Sequence, residues 1–198
     1  MMSDRGIELA HTTVLRWVQC FMPEFKKCWM RFARPVGKSW RVDETYILIR
    51  AQWRYLYRAV DKQGRTVDFR LSEHRDIEAA KDSFHKALLT SWAPMKATLD
   101  GHHPSHRALF ELRREARIWR RGKIRTCQYL NNIVEQDHRA IKARAGPMLG
   151  SKTFINAART IVGIELVYRI RKGKFMLIRR CGSAPRQSMR MAWNLALA

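Results

Sequence analysis

The chain has 198 residues, 46% of them hydrophobic, enough for one packed domain and a small appendage. Its 39 Lys and Arg against 17 acidic residues leave a formal net charge of +22, which calls for a polyanionic partner, and the absence of any apolar run of about 18 residues or of a signal-like start in MMSDRGIELA excludes a membrane span and predicts a cytoplasmic protein. The charge runs from Arg5 to Arg190 and is interleaved with seven Trp and five Tyr, a pattern that favours a folded nucleic-acid-binding surface over a disordered basic arm, although a scaffold protein that merely coats RNA has the same composition. Cys20, Cys28, Cys127 and Cys181 have no C-x-x-C spacing, so they read as reduced thiols rather than a zinc knuckle or disulfide framework.

In chain order, a short helical stub meets a glycine turn at Arg5-Gly6-Ile7, and a second helix runs from His11 through Val14, Leu15, Trp17 and Val18. The arrangement is that of the back half of a helix-turn-helix, or of a plain amphipathic hairpin. Thr12 or Thr13 is placed to cap the second helix, leaving Arg16 and Gln19 to face a DNA groove, with Val14, Leu15 and Val18 partly exposed. Pro23 and Pro35 bracket a basic linker from Lys26 to Arg34.

From Trp40 the period changes. Trp40 to Arg50 is β-branched and aromatic, and Tyr46-Ile47-Leu48-Ile49 is apolar on both alternating faces, as in a central strand covered on both sides. Trp53 to Val60 is a second strand, Asp61-Lys62-Gln63-Gly64 a turn, and Val67, Phe69 and Leu71 alternate as a third, giving an antiparallel meander. A helix from Asp76 to Trp92, a strand from Met95 to Leu99, a helix from Ser105 to Arg117 and a strand around Ile124 follow. Two more helices are predicted, Leu130 to Ala145 stopped by Gly146-Pro147, and Ser151 to Lys172 stopped by Gly173. The order βββαβαβα is that of an α/β, RNase H-like fold with a mixed five-stranded sheet and helices on both faces. The predicted division is a partial helix-turn-helix and linker over residues 1–33, a catalytic domain over 34–175 and an extension over 176–198.

Three carboxylates carry chemistry. Asp43 lies within WRVDETY, just before a fully apolar strand segment where an acid is a poor choice unless it has a task. Asp100 ends the fourth strand, at the carboxyl edge where α/β sheets place ligands. Glu135 lies in a helix and is followed by His138, Arg139 and Lys142. Singly, each has an ordinary reading: a surface Asp, an Asp-Gly turn, a solvated helix face. Together they supply the hard oxygen ligands that a two-metal phosphoryl transfer requires. Between Asp100 and Glu135 lie 34 residues, and Lys142 follows Glu135 by seven, two turns along one helix face.

On those acids and intervals the chain resembles the DDE transposases and retroviral-type integrases. The segments WRVDETYI, WRYLYRAVDKQGRTVDF, TLDG, SHRAL, YLNNIVEQDHRAIK, AGPMLG and AARTIVGIEL look like the insertion-sequence-six family, over nearly all of Trp40 to Phe175. The resemblance implies Asp43, Asp100 and Glu135 as catalytic metal ligands for two Mg²⁺ ions, with Mn²⁺ as a substitute, and Lys142 and Arg139 near bound phosphates. It implies replicative transposition, in which a 3′ hydroxyl freed at the end of the element attacks target DNA, carried out by a homo-oligomer on double-stranded DNA. It also implies an N-terminal helix-turn-helix that reads the terminal repeats, of which residues 2–22 supply only the later part, as in a chain that has lost its extreme N-terminus. Leu48 and Ala51 depart from the family pattern, which has a basic residue and a glycine there.

Gly101-His102-His103-Pro104-Ser105-His106 offers histidines beside Asp100, but magnesium prefers oxygen, and phosphate contact or solvation is the plainer reading. Trp17, Trp53, Trp92, Trp119 and Trp193 are candidates for stacking on extruded bases or for the core. Asp137 lies across the helix from Glu135, outside the site. The competing readings are a catalytically inactive, truncated DNA-binding remnant of a transposase and a hydrolytic RNase H-like nuclease without strand transfer.

Overall fold

The computed structural model describes residues 10–101, 103–127, 132–145, 153–171 and 175. By contact the chain forms two units, Pro35–Gly150 and a second made of Met1–Arg34 with Ser151–Ala198. The sequence division had put 34–175 into one domain, because apolar periodicity reveals that a helix has a buried face but not what lies against it.

The larger unit is built on strands β1 (Ser39–Ile49), β2 (Gln52–Asp61), β3 (Thr66–Ser72), β4 (Lys96–Leu99) and β5 (Lys123–Thr126), in the order β3-β2-β1-β4-β5. β3, β2 and β1 are antiparallel, while β1, β4 and β5 are parallel. This is the expected RNase H-like order. The meander follows from its two tight connections. Between β2 and β3 the buried Asp61 carboxylate accepts from the backbone N–H groups of Gln63 (2.9 Å), Arg65 (2.8 Å) and Gly37 (2.8 Å), while Gly64 takes the positive φ of 67°.

On one face of the sheet lie α2 (Ile77–Thr90), α3 (His103–Glu115) and the single turn α4 (Arg117–Arg120). Asp76 caps α2 by accepting from Ala79 N–H at 2.7 Å. Ala80, Phe84 and Ala87 of α2 and Ala108, Leu109 and Leu112 of α3 meet Trp40, Val42, Tyr57 and Ala59 of the sheet, and Trp119 closes the core edge-on to both Phe84 and Trp40. The opposite face carries α5 (Asn132–Ala145), which buries Val134, Asp137, His138 and Ile141.

The smaller unit pairs α1 (His11–Met30) with α6 (Phe154–Arg171). Three expectations are corrected here. The basic linker predicted from Lys26 is helical as far as Met30, because the apolar row Met22, Phe25 and Trp29 continues through Pro23 and packs with Leu166, Ile170 and Phe175. Neither Thr12 nor Thr13 caps the helix: the N-cap is Ala10, without a side-chain bond. Gln19 does not project toward a groove, since its Nε2 donates to the Asn156 carbonyl (3.0 Å) and to Thr160 Oγ1 (2.9 Å) on α6. Arg16 is exposed, as are Val14 and Trp17, with Leu15 and Val18 half-buried. The predicted stub and glycine turn, and the extension from residue 176, lie outside the described residues. Among those residues no helix is long and apolar enough to cross a membrane.

Candidate active site

Parallel pairing of β1 with β4 ends at Val42 opposite Leu99, so the next residues on the two strands, Asp43 and Asp100, emerge side by side at the carboxyl edge of the sheet. Gly101, at φ 99°, turns the chain away immediately after Asp100. Asp43 is largely buried, and its Oδ1 accepts the Glu44 backbone N–H at 2.9 Å. Burial pushes its carboxyl toward the neutral form, but the His138 imidazole, a side-chain hydrogen bond with Asp100 and the Glu44 N–H favour the anion more, and the net shift is below the ordinary value. Two carboxyl groups this close form an oxygen-only position of the kind that suits a hard divalent cation. Asp43 and Asp100 therefore fit a magnesium site in the kind and pairing of their donors.

Glu135 stands differently. It lies in the first turn of α5, its side chain is half exposed, and Arg139 Nη2 approaches its Oε2 at 3.9 Å. Among the described residues, no three His, Cys, Asp or Glu side chains form a group able to hold a metal. The structure thus brings together two of the three predicted carboxylates and leaves the third on the exposed flank of the helix that covers them. The link between Glu135 and the pair is His138, one turn further along α5 on the same side, whose Nε2 lies 3.5 Å from Asp43 Oδ2. That contact is longer than an ordinary N–H···O hydrogen bond. His138 is buried at 5% exposure, and among the described residues neither ring nitrogen has a hydrogen-bond partner within ordinary length. In the sequence His138 belongs to a row that reads as a solvated face, and its spacing of three from Glu135 is the one signal of its place.

Asp137, which helical geometry puts across from Glu135 and outside the site, fixes α5 to the sheet. Its Oδ2 accepts from Arg58 Nη2 at 3.1 Å, both side chains being fully buried, and the same nitrogen reaches Thr66 Oγ1 at 3.0 Å. Arg58 is the cross-strand partner of Asp43, so this pair sets the height of α5 over the acidic edge. On the other face of β1, the buried Glu44 accepts from Arg75 Nε (2.9 Å) and Ser105 Oγ (3.2 Å), tying the start of α3 beside Asp100. Burial pushes the Glu44 carboxyl up, against the pull of Arg75 and with the help of the Asp100 charge. Lys142 is exposed on α5, with Nζ 5.0 Å from the centre of the Tyr46 ring. His106 faces Thr126 Oγ1 at 3.5 Å and joins no metal cluster, His103 is exposed, and His102 lies outside the described residues.

An RNase H-like sheet with an acidic pair where the parallel pairing of its first and fourth strands ends, crossed by a glutamate-bearing helix, defines a DDE-type core. The DDE domain family DDE_Tnp_IS240 matches residues 37–174. The transposase for insertion sequence-like element IS431mec of Staphylococcus aureus is 33% identical over 190 residues, spanning 93% of this chain and 81% of that protein. The transposase for insertion sequence element IS257 in transposon Tn4003, also from Staphylococcus aureus, matches with the same identity and coverage. Among solved structures, the HTLV-2 integrase catalytic core domain in complex with magnesium, in its dimeric form, shares the fold with a TM-score of 0.51 at 15% identity, over 64% of this chain and 85% of that one. The chain belongs to the DDE transposases of the insertion-sequence-six family, enzymes of DNA transposition.

Proposed function

We propose that this transposase cleaves DNA at the ends of an insertion sequence and joins the freed 3′ hydroxyl to target DNA, using two Mg²⁺ ions held by Asp43, Asp100 and Glu135, with Mn²⁺ as a substitute. The observation that carries the reading is the side-by-side emergence of Asp43 and Asp100 from adjacent parallel strands, in a chain of net charge +22 whose DNA-binding face has no use for clustered acids that repel phosphates unless they hold cations. When bound, such ions place charge at both the attacking and the leaving oxygen of an in-line phosphoryl transfer.

The protein's own groups supply position and charge. Asp43 is held in its ionised form between the Glu44 N–H and His138. Arg58 and Asp137 fix the helix that presents Glu135, and the exposed Arg139 and Lys142 on the same helix neutralise phosphates of the bound strand. Arg16, exposed on α1, is a further phosphate contact. Joining two element ends to one target calls for more than one active centre, so the enzyme acts as a homo-oligomer on double-stranded DNA.

The test is Mg²⁺-dependent joining of a pre-cleaved 3′ end to target DNA. Asp43→Asn and Asp100→Asn should each lower the joining rate by at least about a hundredfold, the equivalent of several kcal/mol of charge stabilisation. Affinity for the same DNA at the same salt should hold or rise slightly. Joining at the parental rate by either folded, DNA-bound variant would reject the assignment.

A further inference from the structure

The β1-β2 hairpin runs well past the acidic edge. β4 accompanies β1 only as far as Val42, so from Asp43 to Ile49 β1 has β2 along one edge and no strand along the other among the described residues. On this arm Ile47 and Ile49 are buried on one face, while the large apolar side chains of the other face are exposed: Tyr46 is 49% exposed, Leu48 41% and Trp53 59%. Tyr46 and Trp53 share one face of the hairpin, with ring centroids 5.7 Å apart at 74°. Their edge-to-face contact makes them a preassembled pair, and neither serves the core.

The cations around the pair say what it faces. Lys142, two helical turns beyond Glu135, reaches around the open edge of β1 to lie 5.0 Å over the Tyr46 ring, and Arg50 is exposed at the hairpin tip. Aromatic faces interleaved with free Lys and Arg are the combination that binds unpaired nucleic acid, the cations tracking phosphates while rings stack on bases. Paired duplex presents no base faces along its length, so a stacking pair finds a partner only at an end or an opened step. Tyr46 lies three residues beyond Asp43, about 10 Å along the strand and on its opposite face, so a DNA strand leaving the acidic edge reaches it by passing around the open edge of β1 beside Lys142, a path of a few nucleotides.

We propose that Tyr46 and Trp53 form a stacking platform for an unpaired base of the DNA strand that runs from the active site around the open edge of β1, a few nucleotides from the reacting phosphate. The inference rests on the strand-transfer reading and adds to it a local opening of the duplex, held by Trp53 and bracketed by Lys142. The platform recognises an exposed nucleobase of any sequence, because every base offers a π-face.

The experiment uses the full chain and two duplex oligonucleotides, one fully paired and one with its three terminal nucleotides mismatched, each carrying 2-aminopurine in turn at the first four positions from the 3′ end. The parent protein should bind the mismatched end about tenfold more tightly, the size of one base–aromatic stack, and should change the 2-aminopurine fluorescence at one position above the others. Trp53→Ala should abolish both the preference and that signal, and Trp53→Phe should keep them. Because the fluorescence is read in the unsubstituted protein, a poorly folding Ala variant still leaves the proposal open to refutation. No preference in the parent, an unchanged preference in folded Trp53→Ala, or loss of self-association in that variant with the base signal intact would each overturn it, the last by assigning the face to a second copy of the chain. A parent that shows the Trp53-dependent signal but never joins 3′ ends would instead overturn the strand-transfer reading and leave the platform standing.

Discussion

Two acids two residues apart on α5 illustrate what a residue's neighbours decide. Asp137 is fully buried against Arg58, whereas Glu135 is half exposed beside Arg139. Removing one member of a buried ion pair strands the other charge, so Asp137→Ala should cost about 3–5 kcal/mol in denaturant unfolding, while Glu135→Gln should change stability by less than about 0.5 kcal/mol. The sequence told the two apart by helical geometry alone: two residues along a helix is 200° or so, hence opposite sides. It did not reveal that Asp137 had a buried arginine waiting on β2, nor that His138 would fall against Asp43, because both depend on where the helix lands on the sheet. Glu44 gives a pH signature. Its folded carboxyl is raised by burial, so the fold holds that proton more tightly than the unfolded chain; the stability it contributes is full below the ordinary value of 4.5 and is lost as pH rises through the raised value. Unfolding free energies of the parent, measured relative to Glu44→Gln, should therefore decline across that interval, and a difference independent of pH would count against the burial of Glu44.

At the scale of elements, the strands and helices of the larger unit were legible from their periods and chemical stops: alternation in β3, an apolar run in β1, Asp76 before α2, Asp61 and Gly64 at the second turn. The run in β1 misled in one respect, since it predicts cover on both faces and Tyr46 and Leu48 are exposed on one. The first hairpin shows a local conflict. Arg50 and Ala51 form its two-residue loop at φ 51° and 59°, the sense favoured by strand twist but disfavoured for residues with a Cβ. Ala51→Gly should relieve that strain, and after the greater entropy loss of glycine a gain of about 0.5–1 kcal/mol should be left, visible as a thermal midpoint higher by about 1–4 °C. A lower midpoint would show that the loop is not strained at Ala51. The helix α1 was misjudged for the opposite reason: a proline ordinarily marks an end, and only the partners Leu166, Ile170 and Phe175, far away in sequence, make it favourable for the helix to run through Pro23.

For the whole molecule, composition alone pointed to a polyanion, and spacing of the acids pointed to transposition; what no periodicity could convey was how the third acid stands relative to the first two. The net charge of +22 makes DNA affinity a matter of Lys and Arg neutralising phosphates, and the reaction a matter of a few carboxylates, so the two are separable. Lys142→Ala should weaken DNA binding and reduce the slope of log affinity against log salt by about one. Glu135 decides the catalytic account, since it must complete a site in which Asp43 and Asp100 are already adjacent. The decisive measurement is the rate at which Glu135→Gln joins a pre-cleaved 3′ end to target DNA in Mg²⁺, with binding measured on the same preparation. The DDE account predicts near-complete loss of joining with DNA affinity and salt slope intact; joining as fast as the parent by a folded, DNA-bound Glu135→Gln protein would contradict it.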